Sequence, residues 1–406
     1  SRSADGEATF TKYHYHYDHS GALVYTVTGS ARADVEGLSG ITVDNVTTLT
    51  EEDIDILLGA GMSIAVYDTE NNRIDHVWSR DDSGEATFTK YHYDSEGTLV
   101  YTVSGAARSE VEDLTGVSIS NVDSLTVTDI DMILSAGMSI SVYDTANDRV
   151  DHVWSRSDDG EASYTEYFYN NVGALVYTVT GNTRAEVENM TGITVDNIDS
   201  LTQNDMDAAL AAGVSVAVYD IDNNRVDYVW ARRENGDLSF TQYNYDGLGK
   251  LVYTVSGATR SEVENLSGVT LANVASLTEG DIDSLLSSGM SIAVYDTVNN
   301  RVDHIWNRSD SGEASYTKHY YDELGKLVFT ATAATRSAVD NLTGITVDNV
   351  SILTETEIDS LLGAGMSLAV YDTVNNRIDH TWARNDSGEA SFTEYHYDNL
   401  GKLIYT

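Results

Sequence analysis

The chain has 406 residues, with 23 Lys and Arg against 65 Asp and Glu, for a formal net charge of −42. Such a charge repels the phosphates of nucleic acids and the headgroups of anionic membranes, so neither is an expected partner. The absence of cysteine excludes disulfides, thiolate metal sites and cysteine nucleophiles, and no apolar run is long enough to predict a membrane-spanning helix.

Ser1 opens the chain without an initiator Met, which reads as a processed or excerpted start with no visible signal peptide. Residues 1–26 predict a β-hairpin, and the tract Tyr13-His14-Tyr15-His16-Tyr17-Asp18 is two residues longer than its later counterparts. This hairpin is surplus to the periodic part of the chain, which suits a cap or a joint to another subunit.

The next segment, 27–102, is the first of five equal units. Ser30 is a candidate cap for a short helix over 31–38 that stops at Gly40, and Thr50 with Glu51, Glu52 and Asp53 opens a second helix through Leu58. Four strands follow over 62–69, 73–81, 86–94 and 98–103, with turns at Asn71-Asn72, Ser83-Gly84 and Ser95-Glu96-Gly97.

A motif ending in Val-Tyr-Asp begins at Gly61, Gly137, Gly213, Gly289 and Gly365, a strict spacing of 76 residues. The remaining units are therefore 103–178, 179–254, 255–330 and 331–406. The expected fold class is an α+β tandem repeat array, β-dominated, each unit two short helices plus a four-stranded antiparallel meander. A closed propeller is a further expectation, since each meander is blade-like, although the helices argue against it.

The segment Tyr91-His92-Tyr93-Asp94-Ser95-Glu96-Gly97-Thr98-Leu99, repeated as Tyr243-Asn244-Tyr245-Asp246-Gly247-Leu248-Gly249-Lys250-Leu251, resembles the YD repeats of Rhs and teneurin-type proteins. Tyr67-Asp68-Thr69-Glu70-Asn71-Asn72-Arg73-Ile74 is similar in a looser way. The resemblance covers the β half of each unit and implies a secreted β-hairpin scaffold with glycan contact.

A two-residue turn at Asn71-Asn72 places Asp68 directly opposite Asp75, and the pair recurs as Asp144/Asp151, Asp220/Asp227, Asp296/Asp303 and Asp372/Asp379. Opposed like charges need compensation. Three sources offer it: a calcium ion, one of the recurrent arginines at 32, 73 or 80, or hydrogen bonding within an Asx turn.

The same register puts Met62, Ile64, Val66 and Val77 on one face, with Tyr67, His76, Trp78, Arg80, Tyr91 and Tyr93 on the other. Trp78, Trp154, Trp230, Trp306 and Trp382 keep phase in every unit, as either packing anchors or glycan-stacking sites together with Tyr67 and Tyr93. Histidines at 76, 152, 304 and 380 give way to Tyr228 in the third unit, which does not suit a zinc site; His14 and His16 alternate but make only two ligands.

Glycosylation sequons occur at Asn45, Asn189, Asn265, Asn307, Asn341, Asn349 and Asn385. The chain lacks a nucleophile elbow, a phosphate-binding glycine loop, a zincin helix and a dinucleotide fingerprint, so no enzyme is expected. Lysines are too few and too irregularly phased for an internal crosslink in each repeat. The expectation is an extracellular structural array that self-associates head to tail, with a multivalent carbohydrate-binding adhesin as the alternative.

Overall fold

The computed structural model describes residues 9–15, 21–81, 84–375, 377–385, 387–397 and 403–406. His16 and Ser83, named above, lie outside them. A spare pair of strands, β1 (Phe10–Tyr15) and β2 (Leu23–Gly29), precedes α1 (Arg32–Gly37), a single 3-10 turn at Val46–Thr48 and α2 (Glu51–Leu57). The meander is β3 (Ser63–Asp68), β4 (Arg73–Arg80), β5 (Ala86–Tyr93) and β6 (Leu99–Gly105); the next repeat begins with α3 (Arg108–Glu112), then α4 (Val127–Ile133) and β7 (Ser139–Asp144).

Local chemistry explains the helix boundaries. The Thr50 side chain accepts from the Asp53 amide while the Asp53 carboxylate accepts from the Thr50 amide at 2.9 Å, satisfying two donors that the first turn leaves free. The same capping box recurs at Thr126, Thr202, Thr278 and Thr354. Ser30 does not cap α1: its N-cap is Ala31, which makes no side-chain cap bond.

The chain forms two compact units, Ser1–Gly173 with Thr178–Asn189, and Ala174–Tyr177 with Met190–Thr406. In the first, β1 to β7 pair in antiparallel succession, and β6 bonds directly to β7 of the following repeat, Val103 opposite Ile140. The second unit continues likewise, with Val255 opposite Ile292 and Ala331 opposite Leu368 across its repeat junctions. Successive meanders thus share a sheet, whereas propeller blades are separate sheets, so the propeller expectation is overturned.

The register between β3 and β4 differs from the expected one. Asp68 pairs with Arg73 and Tyr67 with Ile74, then a bulge at Asp75 brings Val66 opposite His76 and Ile64 opposite Trp78. The connection has four residues, Thr69 to Asn72, and Asn72 adopts a left-handed φ of 52°. An Asx turn stabilises this longer loop: the Asp68 carboxylate accepts from the amides of Glu70 and Asn71 at 3.0 and 3.2 Å and from Asn71 Nδ2 at 2.7 Å. The opposition of Asp68 and Asp75, and of its four counterparts, is therefore not formed.

A slip of one residue exchanges the faces of a strand. Ile64, Trp78, Phe88 and Gly105 now lie in one cross-strand row beneath the helices, and Ala65, Val77, Thr89 and Ser104 in a row on the opposite face. The core beneath the helices holds Val35, Val46, Ile54, Leu58, Met62, Ile64, Val66, Trp78 and Phe88, all buried. Gly105 lets the helix approach: a Cβ there would lie 3.2 Å from Val111 and 3.1 Å from Met138. Ala333 fills the corresponding place in the fourth repeat, so one methyl group can be accommodated.

Candidate functional site

The recurrent tryptophans are anchors. Trp78, Trp154, Trp230 and Trp306 are fully buried and Trp382 nearly so, and the Trp78 ring meets Phe88 at a centroid distance of 4.8 Å. Burying rings of this size stabilises each repeat by about 3 kcal/mol. They share no face with Tyr67 or Tyr91, contrary to the expected grouping.

One cleft of about 450 Å³ in the first unit brings together Asp68, Asp75 and Tyr93 with Arg73, His92, Tyr101 and the loop 117–119. Tyr93 donates to the carbonyl of Ile74 at 2.8 Å, and the Arg73 guanidinium lies over its ring, 4.4 Å from the centroid. Burial pushes the Tyr93 hydroxyl up to about 12. Arg73 also faces Asp68, with Nε 3.5 Å from the carboxylate. The arrangement recurs with Arg149 over Tyr169, Arg225 over Tyr245, Arg301 over Tyr321 and Arg377 over Tyr397.

The Asp75 carboxylate lies 2.7 Å from Nδ1 of buried His76 and accepts from Lys90 Nζ at 2.8 Å, and those bonds hold it far below the usual carboxylate range. Asp68 is likewise lowered, chiefly by its bond from Asn71. The position of Lys90 varies between repeats. Glu166 replaces it in the second, where burial and the nearby Glu188 and Asp151 push its carboxyl up; Gln242 replaces it in the third, where burial and Asp220 push Asp227 up. Among the described residues no group of three or more His, Asp or Glu side chains converges on a point that could hold a metal ion.

The opposite face of the sheet is free of helices and of charge. From Ser63, Ala65 and Tyr67 across Val77, Ser79, Thr87, Thr89, Tyr91, Thr102 and Ser104 it holds no Asp, Glu, Lys or Arg. Hydroxyls pair along it, Thr89 with Ser104 at 2.9 Å and Thr241 with Ser256 at 2.8 Å. Burial raises the Tyr91 hydroxyl, with Tyr143 and Tyr67 near enough to add to the shift. Tyr67, Tyr91 and Tyr143 therefore form one row, and Tyr219, Tyr243 and Tyr295 form its counterpart in the second unit.

Asn45 and Asn349 are held within loops, their Nδ2 groups donating to Gly40 and Gly344 at 2.7 and 2.8 Å. Asn189, Asn265 and Asn341 are exposed at helix C-caps, Asn307 is exposed on a strand, and Asn385 accepts from the Glu389 amide at 2.9 Å. Arg80 bonds the carbonyls of Gly84, Asp55 and Leu58.

One recurrent group has no counterpart among the expected site residues. Arg108 of α3 donates to the carbonyls of Thr47 and Leu49 in the 3-10 turn of the preceding repeat at 2.8 and 3.3 Å, pairs with Glu112 at 2.8 Å, and lies over Phe88. Arg184 bonds Asp123, Arg260 bonds Asp199 and Arg336 bonds Ala275 in the same way. The legible signal was an arginine at one phase of every unit, with an acid four residues on.

The fold and these contacts define a β-dominated tandem-repeat protein. No protein-family model and no curated protein matches the chain. Solved structures similar to it in part include "Crystal Structure of TcdB2-TccC3-Cdc42", at 11% identity over 98% of this chain and 18% of that one, with a TM-score of 0.22. A second is "Crystal Structure of TcdB2-TccC3-TEV", at 12% identity over 97% of this chain and 19% of that one, with a TM-score of 0.19. The chain thus spans less than a fifth of their length, and TM-scores this low establish no shared fold. The resemblance to YD repeats rests on the hairpin itself, where Asp94 accepts from the amides of Glu96 and Thr98 and Gly97 takes a φ of 88°.

Proposed function

We propose that the chain is a structural subunit of an extracellular filament, stalk or surface layer, bearing load along its repeat axis without catalysing a reaction. The observation that carries this reading is the arginine staple: each repeat is joined to the preceding one by main-chain pairing and by a guanidinium held on its 3-10 turn. Force applied along the chain then acts on many parallel hydrogen bonds instead of on a flexible linker. Electron microscopy of the purified protein, with light scattering, tests it: uniform fibres support the reading, and discrete monomeric particles overturn it.

A second reading, multivalent carbohydrate binding, is favoured by the tyrosine row on the uncharged face, since a neutral sugar stacks on such rings with no carboxylate to desolvate. A glycan array with Tyr91→Ala as the comparison tests this; equal binding by both proteins retires the face.

A further inference from the structure

Among the described residues β1 pairs with β2 alone, whereas β5, its counterpart, pairs with both β4 and β6. The side of β1 that would meet a β4-type strand is thus a free edge. In the last repeat the β4-type strand Arg377–Arg384 pairs with Ala390–Glu394, but that partner is poorly seated. Phe392 is 49% exposed where Phe88 is fully buried, and the residues beyond form a separate two-stranded sheet whose Leu403, Ile404 and Tyr405 are exposed.

The two hairpins have nearly one sequence, from Gly6-Glu7-Ala8-Thr9-Phe10 through His14-Tyr15 against Gly388-Glu389-Ala390-Ser391-Phe392 through His396-Tyr397. They differ at one charged position. Lys12 corresponds to Lys90, which bonds Asp75, while the last repeat places Glu394 opposite His380 and beside Asp379. The N-terminal hairpin also brings α1, the helix that covers Phe10, and Arg32, whose exposed guanidinium bonds Glu36 at 2.8 Å where Arg108 also reaches a preceding 3-10 turn.

We propose that the β1–β2 hairpin of a second copy of this chain replaces the C-terminal hairpin on strand Arg377–Arg384, adding the next repeat in the same register. This rests on the filament reading and supplies its joint. Transferred from the internal repeats, the register sets Trp382 opposite Phe10, Thr381 opposite Thr11 and Ala383 opposite Thr9. Lys12 then neutralises Asp379, α1 covers the exposed edge, and Arg32 meets the 3-10 turn at Val350–Ile352. The exchange conserves strand pairing and gains one ion pair and one helix interface, a form of β-strand addition that closes two open edges.

Because the chain lacks cysteine, the joint can be trapped specifically. Full-length Thr9→Cys and Ala383→Cys proteins, mixed and mildly oxidised, should give a disulfide dimer on a non-reducing gel, since directly opposed strand residues have the Cα separation a disulfide needs. Thr9→Cys mixed with Val298→Cys, on an exposed turn, measures random collision. Lys12→Glu should weaken self-association about tenfold, as expected for loss of one ion pair, with an unchanged circular dichroism spectrum. Oligomers by light scattering with no dimer above the collision control would overturn the exchange and leave the filament standing; monomers at all concentrations would overturn both.

Discussion

The guanidinium of Arg108 rests on the carbonyl of Thr47, 61 residues earlier, and so fixes the start of one repeat to the 3-10 turn of the one before. Arg32, at the same phase of the first repeat, bonds Glu36 instead and is largely exposed. Arg108→Ala should therefore cost about 1–3 kcal/mol, the range for charged hydrogen bonds to buried acceptors, while Arg32→Ala in the isolated chain should stay within about 0.5 kcal/mol. Paired thermal melts at low protein concentration measure the difference, and equal effects would refute the staple.

Trp154 is buried against Tyr164 at 4.8 Å between ring centroids. Trp154→Ala should destabilise by about 3–5 kcal/mol and Trp154→Phe by much less, because only the first leaves a large cavity. Urea unfolding followed by tyrosine-region circular dichroism distinguishes the two. A stable alanine variant would contradict the packing role.

Glu166 and Lys90 occupy one position with opposite consequences for pH. Burial raises the Glu166 carboxyl, so ionising it opposes folding; that penalty is complete above its folded-state pKa and disappears as pH falls below the ordinary carboxylate range. Glu166→Gln, the residue found at 242, should raise the melting temperature near neutral pH and change nothing at pH about 3. Asp75 has the reverse sign: its carboxylate, lowered by His76 and Lys90, contributes stability above the unfolded carboxylate range that is lost as pH falls through its folded value. Melting curves across pH for Lys90→Met should show its loss largest near neutrality.

Calcium was one of three ways to relieve an opposition of Asp68 and Asp75. Asp68 instead satisfies its oxygens with Asn71 and the turn amides, and Asp75 with His76 and Lys90. Chelator should leave the melting temperature unchanged, whereas Asp68→Ala should lower stability by about 1 kcal/mol through loss of the turn bonds. A chelator-induced fall of several degrees would restore the ion.

The sequence by itself determined the repeat, its period, the α2 capping boxes and the strand positions to within a residue or two, because these follow from local signals: apolar periodicity, an N-cap threonine and turn glycines. It also carried the choice at Trp78 between packing and binding without deciding it. Only the tertiary structure decided the register of β4 on β3, since an Asx turn at Asp68 and a bulge at Asp75 compete with a two-residue Asn-Asn turn on nearly equal local terms. That slip of one residue moved Trp78 and His76 beneath the helices and left Tyr67 and Tyr91 on the open, uncharged face. The partners of Arg108, 59 and 61 residues distant, were likewise decided by packing, because no local pattern records which carbonyls a folded neighbour will present.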